Sequence, residues 1–372
     1  MSDRDDTTTE TDGDAGSASG RGATDHGGAM ATAPLGAAGP EASRLALGTM
    51  TFGVETDEDE AVRQLDAFVA AGGTMIDTAD VYGGGESERI VGRWLADRGH
   101  DHLVIATKGR FAPPPGSAGA SRRSLVRSLH ASLERLGVDA VDLYLVHGWD
   151  DRTPVGETLD ALAGLVRAGT VHSIGWSNVT GWQLERIVAE ARHGGHVAPC
   201  VVQPQYNLLD RGIELEVLPC CLDHGIAVTP WSPLGGGWLT GKYERDERPT
   251  GDTRLGDDPD RGVEAYDRRA VESTWRVLDV LGDVAERVGR PMGQVAIAWL
   301  LARPGVASVL LGARTLDQLE QNLGAADLVL DDADVVALTE ASAPGIPPYP
   351  YGMLEDACGV DVWRRLGTGR AG

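Results

Sequence analysis

From residue 45 onward, short runs of Val, Ile and Leu alternate with amphipathic stretches of helical period. The strand-like runs are Leu45–Phe52, Thr74–Thr78, Leu103–Lys108, Leu143–His147, Val171–Ser177, Val201–Tyr206, Ala227–Ser232 and Ser308–Leu311. The helix-like stretches are Asp57–Ala71, Glu86–Ala96, Ser121–Leu136, Val155–Ala168, Trp182–His193, Leu215–His224, Arg268–Val288, Met292–Leu301, Leu316–Leu323 and Ala333–Ala341. This alternation predicts an α/β fold, a closed TIM-type (β/α)8 barrel.

The competing fold is an open, doubly wound parallel sheet, which usually carries a Gly-rich turn after its first strand. Here the first strand is followed by Gly53-Val54-Glu55-Thr56. The Gly83-Gly84-Gly85 run after the second strand also lacks the glycine spacing of that Gly-rich turn. The barrel is therefore favoured.

Three segments stand outside the alternation. Residues 1–42 are rich in Thr, Asp, Gly, Ala and Ser, so we expect a disordered acidic tail before a barrel domain at residues 43–343. Residues 344–372 form a Pro- and Tyr-rich C-terminal extension, with a short predicted helix at Val360–Leu366. The charged Tyr243–Asp267 segment is predicted to be a long loop on the active face, where it could cover a ligand. The extension could fold over the same mouth.

The chain carries 33 basic and 56 acidic residues, a net charge of −23. Such a surface repels nucleic acid and anionic lipid, so neither is an expected partner. The first forty residues lack the apolar core of a secretory signal and are acidic, unlike a mitochondrial transit peptide. No apolar run is long enough to span a membrane. We therefore expect a cytoplasmic protein, whose oligomeric state the sequence leaves open.

The four cysteines, Cys200, Cys220, Cys221 and Cys358, form no C-x-x-C pair. Reduced thiols are favoured over disulfides or a metal site. The histidines show no H-E-x-x-H motif. No metal site is expected.

Four polar residues, Asp77, Tyr82, Lys108 and His147, lie at the ends of predicted strands. In a parallel barrel those ends point at one shared pocket. A carboxylate, a phenol, an amine and an imidazole that meet there would form a proton-donating apparatus suited to carbonyl reduction. Each residue alone has a plainer role, as a turn tyrosine, a capping aspartate, a solvated lysine or a rim histidine. Their combination at strand ends favours the catalytic interpretation.

Four segments, in the expected order, resemble the aldo-keto reductase family: Gly48-Thr49-Met50-Thr51-Phe52-Gly53, Asp77-Thr78-Ala79-Asp80-Val81-Tyr82-Gly83, Trp231-Ser232-Pro233-Leu234 and Gly312-Ala313-Arg314. The resemblance spans residues 45–342 of the chain. It implies a TIM barrel, NADPH/NADP as cofactor, and reduction of an aldehyde or ketone or the reverse alcohol oxidation.

The resemblance gives the four polar residues separate tasks. Tyr82 would be the general acid that protonates the carbonyl oxygen. Lys108 would lower the pKa of that phenol from its usual value of about 10, because a cation favours the phenolate. Asp77 would hold Lys108 in place, and His147 would donate a hydrogen bond to the carbonyl oxygen.

A second group would hold the nicotinamide ring. Ser177, Asn178 and Gln203 match family positions that hydrogen-bond the ring carboxamide. Trp231 occupies the place of an aromatic residue that stacks on the ring, where the family often has Tyr. The alternatives are a helix cap at Ser177-Asn178, a buried satisfied amide at Gln203 and a core tryptophan.

A third group would bind the phosphates and the adenosine: Ser232, Leu234, Lys242, Gly312, Arg314, Gln318 and Asn322. Backbone N–H groups of the Gly-rich turn after residue 232 could approach a pyrophosphate. Arg314 suits the 2′-phosphate of NADP, and Gln318 and Asn322 would contact adenine. The alternative is a solvent-exposed arginine on a polar helix face.

The resemblance implies a small carbonyl compound as substrate. Trp149, Tyr349 and Tyr351 favour an apolar or ring-shaped molecule. The rival hypothesis is an NADPH-binding regulatory subunit of a larger complex with little turnover.

Overall fold

The computed structural model describes residues 30–99, 101–111, 119–251, 253–258, 260 and 262–368. Its strands are β1 (Thr32–Pro34), β2 (Glu41–Ser43), β3 (Leu45–Gly48), β4 (Met75–Asp77), β5 (Val104–Gly109), β6 (Val141–Val146), β7 (Val171–Ser177), β8 (Val201–Gln203), β9 (Ala227–Val228) and β10 (Val309–Leu311). Each of the eight predicted strands corresponds to one of β3–β10, mostly with tighter bounds.

Strands β3–β10 form one parallel sheet in the order β10-β3-β4-β5-β6-β7-β8-β9. The two ends of this order meet. Val228 N donates to Gly305 O at 2.8 Å, and Ala307 N donates to Val228 O at 3.0 Å. These bonds close the sheet and confirm the predicted (β/α)8 barrel.

The helices alternate with the strands as predicted. They are α1 (Glu58–Ala70), α2 (Glu86–Arg98), α3 (Arg122–Leu136), α4 (Val155–Arg167), α5 (Gly181–Gly194), α6 (Val217–His224), α7 (Arg254–Asp257), α8 (Tyr266–Arg269), α9 (Glu272–Val288), α10 (Met292–Leu301), α11 (Leu316–Leu323), α12 (Asp332–Ala341), α13 (Met353–Cys358) and α14 (Val362–Arg365). Within the described parts of the chain, no helix has the length and apolar character needed to cross a membrane.

Two hydrophobic cores follow from the alternation of side chains along the strands. Residues such as Tyr144 and Val146 of β6 point outward and pack with the helices. Their neighbours Leu143 and Leu145 point inward and pack with Met75 and other inward residues of the barrel. Because side chains alternate between the two faces of a strand, most of the strands β3–β10 contribute to both cores.

The hairpin of β1 and β2 corrects the prediction that residues 1–42 are disordered. Residues 30–42 are folded, and Leu35 is completely buried in the interior core of the barrel. Gly36 makes this fit possible, since a Cβ there would lie 2.2 Å from the carbonyl oxygen of Cys200, and its φ of +75° disfavours other residues. The part of the predicted tail before residue 30 lies outside the described residues.

Two other predictions need smaller corrections. The predicted loop Tyr243–Asp267 contains the short helix α7, and α8 begins at its end. The C-terminal extension holds α14, close to its predicted position, and also α13, which the sequence analysis missed. Trp363 of α14 donates to the carbonyl oxygen of Leu215, at the segment after β8, at 2.9 Å. Coverage of the mouth by the extension stays a prediction.

Candidate active site

The interior core and the candidate site share one set of strand positions. In β5, Val104 and Ala106 face the barrel interior, and Lys108 is the next residue with the same orientation. The same alternation, continued past the core, places the following residues toward the barrel axis: Asp77, His147, Ser177, Gln203, Trp231 and Gly312. Most of these residues are polar, and each follows the inward-facing residues of its strand. Their side chains therefore meet at one end of the barrel.

Tyr82, Lys108 and Asp77 are in direct contact. The Lys108 ammonium lies 2.5 Å from Asp77 Oδ2 and 3.1 Å from the Tyr82 hydroxyl, and it donates to the Thr78 carbonyl at 2.9 Å. Lys108 is completely buried. Since a buried ammonium needs a full set of acceptors, these three contacts explain how the charge is tolerated.

A turn of three glycines positions the Tyr82 ring. Residues Tyr82–Gly85 form a 3-10 turn in which Gly83, Gly84 and Gly85 all have positive φ, of 55°, 65° and 93°. This left-handed run suits glycine and starts α2 immediately after the tyrosine. The phenol therefore lies beside the ends of β4 and β5.

Burial controls the acidity of Tyr82. Burial raises the pKa of the phenol, and the charge of Asp77 adds to this, while the Lys108 ammonium acts in the opposite direction. The net shift is upward, which reverses the lowering expected from the sequence. Burial on its own would lower the pKa of Lys108, but Asp77 and Tyr82 raise it above its usual value. Tyr82 therefore keeps its proton and Lys108 its charge at neutral pH.

His147 stands edge-on to Tyr82, with their ring centroids 5.9 Å apart. Burial, together with the charges of Lys108 and Arg110, lowers the pKa of His147 to about 3. The imidazole is therefore neutral near pH 7 and has one N–H to donate. Its buried Nδ1 atom has no hydrogen-bond partner within the described protein.

The residues predicted to hold the nicotinamide lie beside this group and bond to one another. Gln203 Nε2 donates to the second oxygen of Asp77 at 2.8 Å, and the Ser177 hydroxyl donates to the Gln203 carbonyl at 2.7 Å. Asn178, with a φ of 55°, donates to the carbonyl of His147 at 3.0 Å. Its side-chain oxygen accepts from the Trp231 indole at 3.2 Å. A continuous chain of contacts thus joins Trp231 to the backbone of His147.

The Gly-rich turn after β9 is fastened by the long loop that precedes α8. Ser232 donates to Glu264 Oε1 at 2.5 Å, and Arg254 Nε donates to Glu264 Oε2 at 3.2 Å. Gly236 passes so close that a Cβ there would lie 2.6 Å from Glu264 Oε2. We call this contact of Ser232, Arg254 and Glu264 the loop clasp.

Cationic side chains gather around the same turn. Desolvation lowers the pKa of Lys242, and the positive charges of Arg314 and Arg254 lower it further. A Cβ at Gly237 would lie 2.6 Å from Lys242 Nζ, so the amine lies over the turn. Leu234 packs beside Gly293 of α10, 3.6 Å from the position of a Cβ there. The arrangement favours an anion.

The residues predicted to bind adenosine surround the start of α11. Gln318 accepts from the backbone N–H of Arg314 at 2.9 Å, and Asn322 donates to the carbonyl of Gly312 at 3.5 Å. A Cβ built at Gly312 would meet nothing within 4 Å. Open space therefore lies next to this turn.

Three residues of the site were not predicted from the sequence. Arg254 and Glu264 lie in a loop without period, where no local pattern marks them. Asp80, by contrast, stands inside the quoted Asp77–Gly83 motif. It is buried, accepts from Ser128 and donates its backbone N–H to the Lys108 carbonyl at 3.1 Å. Burial raises the pKa of Asp80 to about 6.

The chain is similar in sequence to known proteins. The sequence profile of the Aldo/keto reductase family matches residues 44–343. The chain is 36% identical to the "Uncharacterized oxidoreductase YrpG" of Bacillus subtilis over 87% of this chain and 98% of that protein. It is 35% identical to a "Probable voltage-gated potassium channel subunit beta" of Oryza sativa, over 84% of this chain and 96% of that protein. It is 34% identical to "Norsolorinic acid reductase stcV" of Emericella nidulans, over 85% of this chain and 82% of that protein.

Proposed function

Because this chain belongs to the aldo/keto reductase family and is an oxidoreductase, we propose that it reduces an aldehyde or ketone with NADPH, and that Tyr82 donates the proton. The observation that carries the proposal is the contact between the Tyr82 hydroxyl and the buried Lys108 ammonium, at 3.1 Å. The same groups allow the reverse reaction, the oxidation of an alcohol.

The protein residues divide the work of proton transfer. NADPH, when bound, supplies the hydride. Tyr82 holds its proton until negative charge develops on the carbonyl oxygen, and then releases it to that oxygen. Lys108 stabilises the resulting phenolate, and Asp77 keeps the ammonium in position. His147, being neutral, donates an N–H to the oxygen and orients it.

NADPH fits the charges of the site. Desolvation lowers the pKa of Lys242, and repulsion from the positive charges of Arg314 and Arg254 lowers it further. The phosphates of a dinucleotide would offset that repulsion. Arg314 would contact the 2′-phosphate, which favours NADPH over NADH. Gln318 and Asn322 would contact the adenine.

The nicotinamide would lie next to Trp231. The indole offers a flat apolar face for stacking, and Asn178 fixes it by a hydrogen bond of 3.2 Å. Ser177 and Gln203 would bond the carboxamide of the ring. Gln203 also bonds Asp77 at 2.8 Å. The ring would therefore be held in a fixed position relative to the proton donor.

An aromatic carbonyl compound is the substrate class that we propose. The Phe111 ring lies edge-on to His147 with centroids 5.0 Å apart, and Trp149 meets Trp182 at 5.5 Å. Phe111 is 43% exposed and Trp182 is 56% exposed, so both offer free apolar surface. A relative, 28% identical, is named "Aryl-alcohol dehydrogenase [NADP(+)]", which agrees with a ring-shaped substrate.

The test is a screen of aromatic and aliphatic aldehydes and ketones, followed by the loss of NADPH absorbance. We expect turnover that is faster with aromatic aldehydes than with aliphatic ones of similar size. Two relatives are named as potassium channel subunits, so the screen also separates the enzyme from a binding subunit. Tight NADPH binding without turnover on any substrate would contradict the proposal.

A further inference from the structure

Three side chains that suit a metal ion meet on the outer ring of helices, outside the candidate active site. Glu185 lies in α5, and Cys220 and His224 lie in α6. The two α6 residues are four positions apart, so a single face of the helix presents both. Their ligand atoms and that of Glu185 all lie within 4.8 Å of one another.

The individual distances are short. His224 Nε2 lies 2.6 Å from Glu185 Oε2, and Cys220 Sγ lies 3.7 Å from the same oxygen. The His224 side chain is 12% exposed and that of Glu185 is 57% exposed. His224 is therefore held by packing, while the Glu185 side chain can adjust its position.

These distances can be compared with those of a tetrahedral zinc site. Zn–S bonds of about 2.3 Å and Zn–N and Zn–O bonds of about 2.0–2.2 Å place the sulfur about 3.6 Å and the nitrogen about 3.4 Å from the oxygen. The sulfur–oxygen distance of 3.7 Å already matches this geometry. The nitrogen–oxygen distance of 2.6 Å must lengthen, which the exposed Glu185 side chain can accommodate.

We propose that Glu185, Cys220 and His224 bind Zn²⁺ and thereby join α5 to α6. Thiolate, imidazole and carboxylate are the ligands that zinc prefers in proteins. The Cys220 thiol would lose its proton to solvent as the Zn–S bond forms, and the two anionic ligands would balance the charge of the ion.

A fourth ligand has room beside His224. A cavity of about 230 Å³ is lined by this histidine together with Val188, Arg192, His196 and Ile226. On this proposal, a water molecule would complete the tetrahedron. Asp223 Oδ2 lies 3.9 Å from the other ring nitrogen of His224, Nδ1, which is longer than a hydrogen bond.

This proposal departs from the expectation that the cysteines have no metal role, an expectation that stays a prediction. Cys220 and Cys221 differ in burial: Cys221 is buried in the core, and Cys220 is only partly buried. The sequence could not show the site, since Glu185 precedes Cys220 by a whole strand–helix unit. Only the packing of α5 on α6 brings the three together.

The experiment is a Co²⁺ titration of the full chain, with cobalt as a spectroscopic probe for zinc. We expect saturation at one equivalent and a near-ultraviolet charge-transfer band from sulfur to cobalt. Cys220→Ser should abolish that band, and His224→Gln and Glu185→Gln should weaken binding. Zn²⁺ should displace the bound cobalt from the wild type. Zn²⁺ should also raise the melting temperature of the wild type but not that of Cys220→Ser.

Two control variants make the result specific. His172 lies 3.4 Å from Asp142, and among the described residues this pair has no cysteine that could complete a metal site. Cys358 is an exposed free cysteine. His172→Gln and Cys358→Ser should both retain the cobalt band. A band that survives Cys220→Ser, or one that is lost in Cys358→Ser, would overturn the proposal, as would the absence of saturable binding. Glu185→Gln changes an exposed side chain and keeps the test valid if another variant fails to fold.

Discussion

Lys108 shows how much of the site rests on single side chains. It is one of two lysines in the chain, and it is completely buried. Its three acceptors are Asp77, Thr78 and Tyr82. Removing one member of such a buried group leaves an uncompensated charge, which typically destabilises a protein by about 3–5 kcal/mol. Lys108 and Asp77 are therefore expected to support folding as well as catalysis.

The lowered pKa of His147 gives a prediction for pH dependence. Its value of about 3 in the folded protein is below the value of about 6.5 for an unperturbed histidine. The unfolded chain therefore binds more protons in this window, and stability is lost as pH falls from about 6.5 towards 3. We expect the free energy of unfolding of His147→Gln to fall less steeply over that range.

Denaturant unfolding at a series of pH values measures this slope, and NMR of the imidazole nitrogens measures the titration itself. Wild type and variant share all other titrating groups, so their difference isolates His147. A titration midpoint for His147 near 6.5, with equal slopes for the two proteins, would show that the ring is not desolvated as described.

Arg314 gives a prediction about cofactor choice. Arg314→Ala should weaken NADPH binding by about 1.5–3 kcal/mol, the value of a charge-assisted hydrogen bond, and leave NADH binding almost unchanged. Titrations of tryptophan fluorescence with both dinucleotides provide the two dissociation constants. Equal weakening of the two would remove the assignment of the 2′-phosphate to this residue.

At the scale of elements, the barrel was predictable because its pattern repeats. Each strand is a short apolar run, and the side chain that continues its inward-facing series lies in the site, as with Lys108 after Ala106. Their position at the ends of predicted strands thus marked Asp77, Lys108 and His147 as candidate site residues. Strand bounds were less accurate, since β9 covers only Ala227–Val228 of a longer apolar run.

What the sequence could not predict depends on long-range packing. The pKa of Tyr82 is raised because burial outweighs the effect of Lys108, a balance that no local pattern displays. Glu264 meets Ser232 across 32 positions, and its segment has no helical or strand period. The hairpin at residues 30–43 has a low-complexity composition, yet Leu35 is buried in the barrel.

The loop clasp gives a prediction about how fast NADPH dissociates from the protein. Glu264→Gln should weaken the contacts with Ser232 and Arg254, and we expect NADPH to dissociate about tenfold faster, a change of about 1.4 kcal/mol. Stopped-flow displacement of the cofactor measures this rate. Glu272→Gln is a matched control in an exposed pair with Arg245, and its rate should equal that of the wild type. Equal rates for all three proteins would contradict a role of the clasp in retention.

At the scale of the whole molecule, a buried ionic network ties the C-terminal extension to the barrel. Arg211 forms two bonds with Glu214, at 2.9 and 2.7 Å, and Thr368 donates to Glu214 at 2.8 Å. Arg303 donates to the Tyr206 hydroxyl at 3.0 Å and to the carbonyl of Leu366. The last described residues therefore belong to the folded core.

Arg211→Ala should destabilise the protein by about 3–5 kcal/mol. The buried Glu214 carboxylate loses both guanidinium bonds of Arg211 and keeps only a longer ion pair with Arg303, at 3.4 Å. Arg245→Ala removes an exposed ion pair with Glu272 and should change stability by about 0–1 kcal/mol. Urea unfolding of the two variants gives both values. A small effect of Arg211→Ala would mean that the extension is not held by this network.

The most direct test of the account is single-turnover reduction of an aromatic aldehyde by Tyr82→Phe with bound NADPH. We predict a loss of roughly 100- to 10,000-fold in the rate of NADPH oxidation, the usual contribution of a general acid, with the dissociation constant of NADPH unchanged. Tyr144→Phe is the matched control, since that phenol faces the helices and donates to the Leu125 carbonyl at 3.2 Å; it should keep the wild-type rate. A Tyr82→Phe variant that reduces the aldehyde as fast as the wild type would contradict the central claim.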